Sequence, residues 1–420
     1  MIFQLSCFMA ICVLCTLGQL GSTNQTYSQS GPRSRFESNF NKVCSKYPFV
    51  AQYLANLENP SQRFFVYVFD EAGVDNGGLG DRLGGLVTAV AYALRTGRTL
   101  LISADKSVEE AFEPYHPNNN GRFRWGNNSW SGFSRDHETL HLHNCVNLGI
   151  GPICHLDDDV PQKVVRFISN RAYLCRWVTK PELYIKSNLS RLGITPTTDL
   201  YEVAGCMLRL AFWPSEKLWE DVDRAQSPLL LDHQSPISYQ IGFHFRCGDS
   251  SFSAGGEHNP LCYYRPGIPW RGRGAMESPV DLGNCGKELV KSLSPDMQKN
   301  ALLYIASDSQ DSSQQINDTI NWPLTIVQGK ACHVNLDAGP ACKSMTLVHW
   351  FTLALSDKIV IQSIIAADSK THIPPSGFSR FATIYALQQD APAFGLSCSH
   401  GDKLLMSQLN QGNWICDPPA

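Results

Sequence analysis

The stretches FFVYVF (64–69), VDNGGLGDRLGG (74–85) and TLLIS (99–103) decide the fold. The first is apolar, aromatic and β-branched, and reads as a buried strand. The second is a glycine-rich turn. Beyond it Leu83, Leu86, Val87, Val90 and Leu94 recur at helical spacing, and Gly97 suits a helix C-cap. The third is another strand. Strand, turn, helix, strand is one βαβ unit, which implies parallel pairing.

The alternation returns downstream. YQIGFHF (239–245), ALLYIAS (301–307), LTIVQ (324–328) and KIVIQS (358–363) read as strands. MTLVHWFTLAL (345–355) reads as a buried helix, and SGFSRFATIYAL (376–387) starts another. Strands alternating with helices argue for a parallel sheet. Between the blocks, 105–160 reads as loops with short strands and 161–225 as mostly helix. Residues 226–238 carry two prolines and several Ser and Gln, which suits an interdomain linker. The expected fold is α/β: two Rossmann-like domains, 44–235 and 236–400, facing a cleft. Residues 22–43 are expected to be a polar stem, and 401–420 a tail packing back.

Composition narrows the class. An apolar share of 43% over 420 residues excludes a disordered chain. With 35 Lys+Arg against 38 Asp+Glu, the net charge of −3 excludes the basic field of a typical nucleic-acid binder. Past residue 25 no apolar run approaches the ~20 residues of a membrane span. Residues 2–20 are uncharged and most apolar from Leu5 to Leu17. Together with Met1 and Gly21, they read as a signal peptide or, if uncleaved, as an anchor. Of 15 cysteines, three lie in this leader and 12 run from Cys44 to Cys416. N-x-S/T sequons occur at Asn24, Asn127, Asn188 and Asn317. Leader, cysteines and sequons together suit an oxidising secretory lumen, Golgi or ER. The cysteines are scattered, with no C-x-x-C, which argues against zinc fingers. Cys332 and Cys342 are near enough for a local disulfide.

In open parallel sheets ligands bind beyond the C-terminal strand ends, so the loops there are the candidates. Gly77 to Gly85 lets a ligand approach the backbone at a helix N-terminus. It is neither G-x-G-x-x-G nor a P-loop, and it reads equally as a tight turn with Asp81 and Arg82 solvated. His244 and Arg246 share one strand face at a strand end, where a planar guanidinium suits a phosphate. A structural pair of Arg246 with Asp249 is the alternative. Asp308 and Ser309 could meet a ribose or base edge, and Ser376, Gly377 and Phe378 open a helix suited to phosphate. Helix N-caps use the same residue types. Asp157–Asp159 reads as a solvated acidic turn rather than a metal motif. His137, His141, His143 and Cys145 read as a polar strand rather than a zinc site, and His349 and Trp350 as core.

Four blocks in order resemble the GT-B-fold fucosyltransferases, the superfamily of α1,6- and α1,2-fucosyltransferases and protein O-fucosyltransferases. GGLGDRLGGLVTAVAYALRTGRTLLIS (77–103) is similar to their first βαβ unit. IGFHFRCGD is similar to the H-x-R block, and LYIASDSQD to the block near the nucleotide. LVHWFTLALSDKIVIQSIIAADSKTHIPPSGFSRFA is similar to the closing block. The blocks cover about a third of the chain. The resemblance implies a GT-B fold, a GDP-fucose donor, no cofactor or metal, and inverting transfer to a hydroxyl of a glycan or glycoprotein. It implies that Arg246 holds the β-phosphate, accompanied by His244. It puts Asp308 and Ser309 near the nucleotide, and Ser376, Gly377 and Phe378 near the diphosphate. Asp81 falls near the acceptor and is the candidate base, with Asp249 second. Gly78, Gly80 and Arg82 complete the substrate-binding set. Cys247 stands where many α1,6 enzymes carry a second arginine, and the insertion at 250–286 is unfamiliar. The expected partners are therefore the nucleotide sugar and its acceptor, with no nucleic acid, and the membrane only through an uncleaved leader.

Three rival readings carry different expectations. A lectin-like GT-B protein would bind no GDP. A transferase using another nucleotide sugar would prefer another base. A dinucleotide oxidoreductase would use Asp105 on a ribose.

Overall fold

The computed structural model describes residues 31–69, 78–117, 139–143, 155–169, 172–230, 237, 239–246, 275–276, 278–327, 339–362, 364–365, 372–373, 376–387 and 393–394. The leader and residues 401–420 lie outside these.

The first half opens with α1 (Pro32–Cys44) and α2 (Pro48–Glu58). The βαβ unit follows as expected: β1 (Phe64–Val68), α3 (Leu79–Thr96) and β2 (Thr99–Ser103). Gly97 ends α3 in the left-handed region, φ 63°. Next come α4 (Lys106–Ala111), β3 (Phe112–Glu113), β4 (Thr139–His143), β5 (Val164–Ile168), α5 (Leu174–Thr179), α6 (Pro181–Ser187), α7 (Leu200–Ala211), β6 (Trp213–Pro214) and α8 (Glu216–Leu230). The main sheet, β2-β1-β5-β4, is parallel throughout. VVRFI at 164–168 was expected within a helical region. It is instead the strand beside β1, Phe64 registering with Val164. Its β-branched run suits a doubly covered sheet.

The second half runs β7 (Tyr239–Phe245), β8 (Ala275–Met276), α9 (Pro279–Ser292), α10 (Pro295–Lys299), β9 (Ala301–Ser307), α11 (Gln310–Ile320), β10 (Thr325–Val327), α12 (Pro340–Ala354), β11 (Lys358–Ile361), β12 (Ile364–Ile365), β13 (His372–Ile373), α13 (Gly377–Ala386) and β14 (Ala393–Phe394). Its main sheet, β10-β9-β7-β11-β14, is also parallel. The described residues are therefore α/β, with two parallel sheets among them. Two short antiparallel sheets, β3-β6 and β13-β12-β8, accompany them.

Strand alternation splits β7. Ile241, Phe243 and Phe245 join a separate core with Leu282, Cys285 and Ile316 from α9 and α11. Gln240, Gly242 and His244 face the other way. On that side α12 and α13 share one continuous apolar core with α3, α7 and β1 of the first half. Helix α3 is buried on every side from Leu83 to Leu94, because it lies inside this joint core.

Two expected boundaries are corrected. Residues 32–43 are not a polar stem: Phe36, Phe40 and Val43 of α1 are buried in the joint core. Buried Arg209 stacks its guanidinium 3.8 Å from the Phe36 ring centroid and donates to the Phe36, Tyr385 and Ala386 carbonyls. Burial pulls Arg209 down to about 9. Cys44 is disulfide-bonded to Cys206, tying α1 to α7. These polar residues space an apolar stripe at i, i+4, i+7, a pattern easily missed amid charges. The linker also shrinks, since α8 continues to Leu230. Cys175, Cys285 and Cys342 are disulfide-bonded too, while Cys332 lies outside the described residues.

Candidate functional site

In the second sheet the strands lie, by chain order, third, second, first, fourth, fifth. The winding reverses between β7 and β11. At such a switch point the connections leave in opposite directions, and a crevice opens beyond the strand ends. His244 and Arg246 close β7 at that place.

His244 is 7% exposed, and its ring stacks on Phe378 with centroids 5.0 Å apart. Burial, helped by the charge of Arg246, holds its imidazole down to about 3, so it is neutral at pH 7. Arg246 follows at the strand end, half-buried. Its backbone N–H donates to Gln362 Oε1 at 3.1 Å, and the Gln362 N–H donates to the His244 carbonyl at 3.2 Å. One strand over, Phe245 registers with Ser307, so buried Asp308 leaves β9 beside Arg246.

The remaining candidates sit on helix starts. Ser309 Oγ accepts from the Ser312 N–H at 3.2 Å and caps α11. Ser376 Oγ accepts from the Phe378 N–H at 3.2 Å and caps α13. Trp350 Nε1 donates to the Phe378 carbonyl at 3.1 Å, pinning that turn from α12. Asp81, half-buried, accepts from the Gly78 N–H at 3.1 Å as the capping residue of α3. Each cap satisfies one backbone donor of its helix start.

The two halves meet at these starts. A Cβ on Gly80 would overlap the backbone of Gly377. The N-termini of α3 and α13 are therefore in backbone contact, with two positive helix ends side by side. A negatively charged group beside them is favoured on both counts.

Arg82 is the candidate that turns away. It is 1% exposed, donates from Nη1 to the Phe69 carbonyl at 2.6 Å, and lies over the Phe69 ring. The solvated first-turn reading is thus corrected: this guanidinium is packed at the end of β1. Asp249, Gly248 and Cys247 lie outside the described residues.

Gln362 was not among the candidates. Its only sequence signal is a polar residue closing the apolar run KIVIQ, yet it is fully buried.

The other groups resolve plainly. Asp157 pairs with Arg176, Asp158 with Lys186, and Asp159 with Arg63 and Arg98, so the acidic run ties elements together instead of sitting as a free solvated turn. His141 is exposed on β4; His137 and Cys145 lie outside the described residues. His349 and Trp350 are core, and burial holds His349 down to about 4. Asp105 caps α4 and pairs with Lys343 at 2.8 Å, which engages the acid a ribose would need.

No protein-family model and no curated protein matches the chain. Among solved structures it is similar to a mutant of Arabidopsis thaliana FUT1 in complex with GDP, at 15% identity and TM-score 0.44, covering 84% of this chain and 76% of that one. It is also similar to NodZ alpha-1,6-fucosyltransferase soaked with GDP-fucose, at 15% identity and TM-score 0.42, covering 80% and 97%. A third neighbour is selenomethionine NodZ from Bradyrhizobium, at 15% identity and TM-score 0.38, covering 77% and 92%.

Proposed function

We propose that this chain is an inverting, metal-independent glycosyltransferase that moves fucose from GDP-fucose to a hydroxyl of a glycan or glycoprotein in the secretory lumen. One observation carries the reading. The switch point of the second sheet gathers Arg246, neutral His244 and Asp308 against the meeting starts of α3 and α13.

In this reading the acceptor oxygen forms a bond to the anomeric carbon as the bond to the β-phosphate oxygen breaks. GDP leaves with added negative charge. A preorganised guanidinium and two helix N-termini stabilise that charge where it develops. Neutral His244 can donate one N–H without competing for the charge. Asp308 and Ser309 take the nucleoside side, and Ser376, Gly377 and Phe378 the diphosphate. Asp81, in the first turn of α3, is the candidate to take the acceptor proton. Asp81→Asn keeps an oxygen to cap Gly78, so we expect stability and GDP affinity unchanged and turnover ~100-fold lower. Unchanged turnover in that variant removes the base and leaves Asp81 as a cap. The disulfides, including Cys44–Cys206, support the lumenal setting.

The test is calorimetry on the chain purified from a secretory host, comparing GDP, UDP and NAD, with Arg246→Ala as control. We expect selective GDP binding that the variant weakens about 100-fold without abolishing. Binding of no nucleotide favours a recognition protein, and preference for UDP a different donor.

A further inference from the structure

Resting on the nucleotide-site reading, we propose that Gln362 is a positioning residue that sets the backbone from which Arg246 reaches the diphosphate.

The ladder between β7 and β11 registers Lys358 with Ile241 through Ile361 with His244, in parallel. The Gln362 N–H donation to the His244 carbonyl extends it by one regular bond. In a parallel ladder the next bond runs from the Arg246 N–H to the Gln362 backbone carbonyl. Here the Arg246 N–H goes to the Gln362 side-chain oxygen instead, at 3.1 Å.

A side-chain acceptor at this last rung satisfies the Arg246 N–H, so the ladder ends without orphaning that donor. Gln362 is fully buried, so its rotamer is set by packing and its oxygen is a fixed point. The chain turns off immediately into β12, starting at Ile364, and returns through β13 three residues before Ser376. Gln362 therefore stands where the ladder ends and the segment framing α13 begins. An arginine that must meet a developing charge works only from a fixed backbone, because small displacements weaken the fork geometry.

Gln362→Met keeps nearly the same length and volume and removes the oxygen. The test combines GDP calorimetry with amide exchange at Arg246. It uses the unchanged chain, Gln362→Met, Arg246→Ala and the double variant. We expect Gln362→Met to weaken GDP about tenfold and to cost nothing further in the Arg246→Ala background, because the two act as a unit. We also expect faster exchange of the Arg246 amide, restored in Gln362→Glu, which returns an oxygen. Unchanged affinity, or full additivity with Arg246→Ala, overturns the assignment. If the unchanged chain binds no GDP, the nucleotide reading fails by itself. Amide exchange then still decides: protection of Arg246 unaltered by Gln362→Met overturns the positioning role.

Discussion

The two sheets are both parallel, and they are wound differently and used differently. The second reverses its winding once, between β7 and β11; the first reverses it twice, since the chain steps from β1 out to β2, crosses over to β4 and steps back to β5 beside β1. In the first, the ends of β1 and β5 are packed against the start of α3. Tyr67 Oη donates to the Arg82 and Ser169 carbonyls, Arg82 donates to Phe69, and Gly85 lies so close to Ser169 that a Cβ would overlap its carbonyl. In the second, the last rung between β7 and β11 is made by the Gln362 side chain, and His244 and Arg246 close β7 beside it. A switch point is therefore a place where a ligand can bind. Whether one does depends on what the local side chains already occupy.

The sharpest way to break this comparison is to make one substitution on both sides. Arg246→Lys keeps the charge and loses the planar fork. We expect ~100-fold lower turnover and little change in stability. Arg82→Lys should do the reverse, lowering stability by ~1–3 kcal/mol with GDP affinity unaltered, because it disturbs a buried donor. Urea denaturation and steady-state kinetics on both variants check the pair. A loss of affinity in Arg82→Lys would make the end of β1 a ligand site too.

A second test addresses the seam between the halves. Gly80→Ala forces a methyl into the Gly377 backbone, and we expect ~2–3 kcal/mol lost. Gly377→Ala meets its nearest atom, the Gly80 Cα, at 3.3 Å, so under ~1 kcal/mol is expected. Denaturant midpoints decide between them, and equal losses would mean that the helix starts are not locked as described.

A third test is of pH. His244 and His349 are held neutral down to about 3 and about 4, against an ordinary 6.5. Below pH 6.5 the unfolded chain binds more protons than the folded one. Stability is thus full above 6.5 and lost as pH falls toward 4, by up to ~1.4 kcal/mol per pH unit for each histidine. His244→Phe should flatten about half of that slope. An unchanged slope would take His244 out of the buried stack.

Legibility followed range. The runs FFVYVF, YQIGFHF and ALLYIAS became strands nearly residue for residue, and Gly97 capped its helix. Burial periodicity and special backbone angles are properties of neighbouring residues, so a local reading reaches them. α1 hid its buried Phe36 and Phe40 among charges, and β5 lay unrecognised in VVRFI. Asp81, Ser309 and Ser376 were visible as helix-start residues, with capping and ligand roles undivided, since both use the same oxygen and the same free N–H groups.

By itself, then, the sequence determined that this chain builds two sets of alternating strands and helices, and which polar residues end the strands. Only the tertiary structure decided that the halves share one core, that Gly80 meets Gly377, that Arg82 is buried at the end of β1, and that the Gln362 side chain accepts from the Arg246 N–H. The reason is strand order. Which strand ends lie side by side depends on contacts between residues more than a hundred positions apart, such as Arg246 and Gln362, and no local periodicity encodes them.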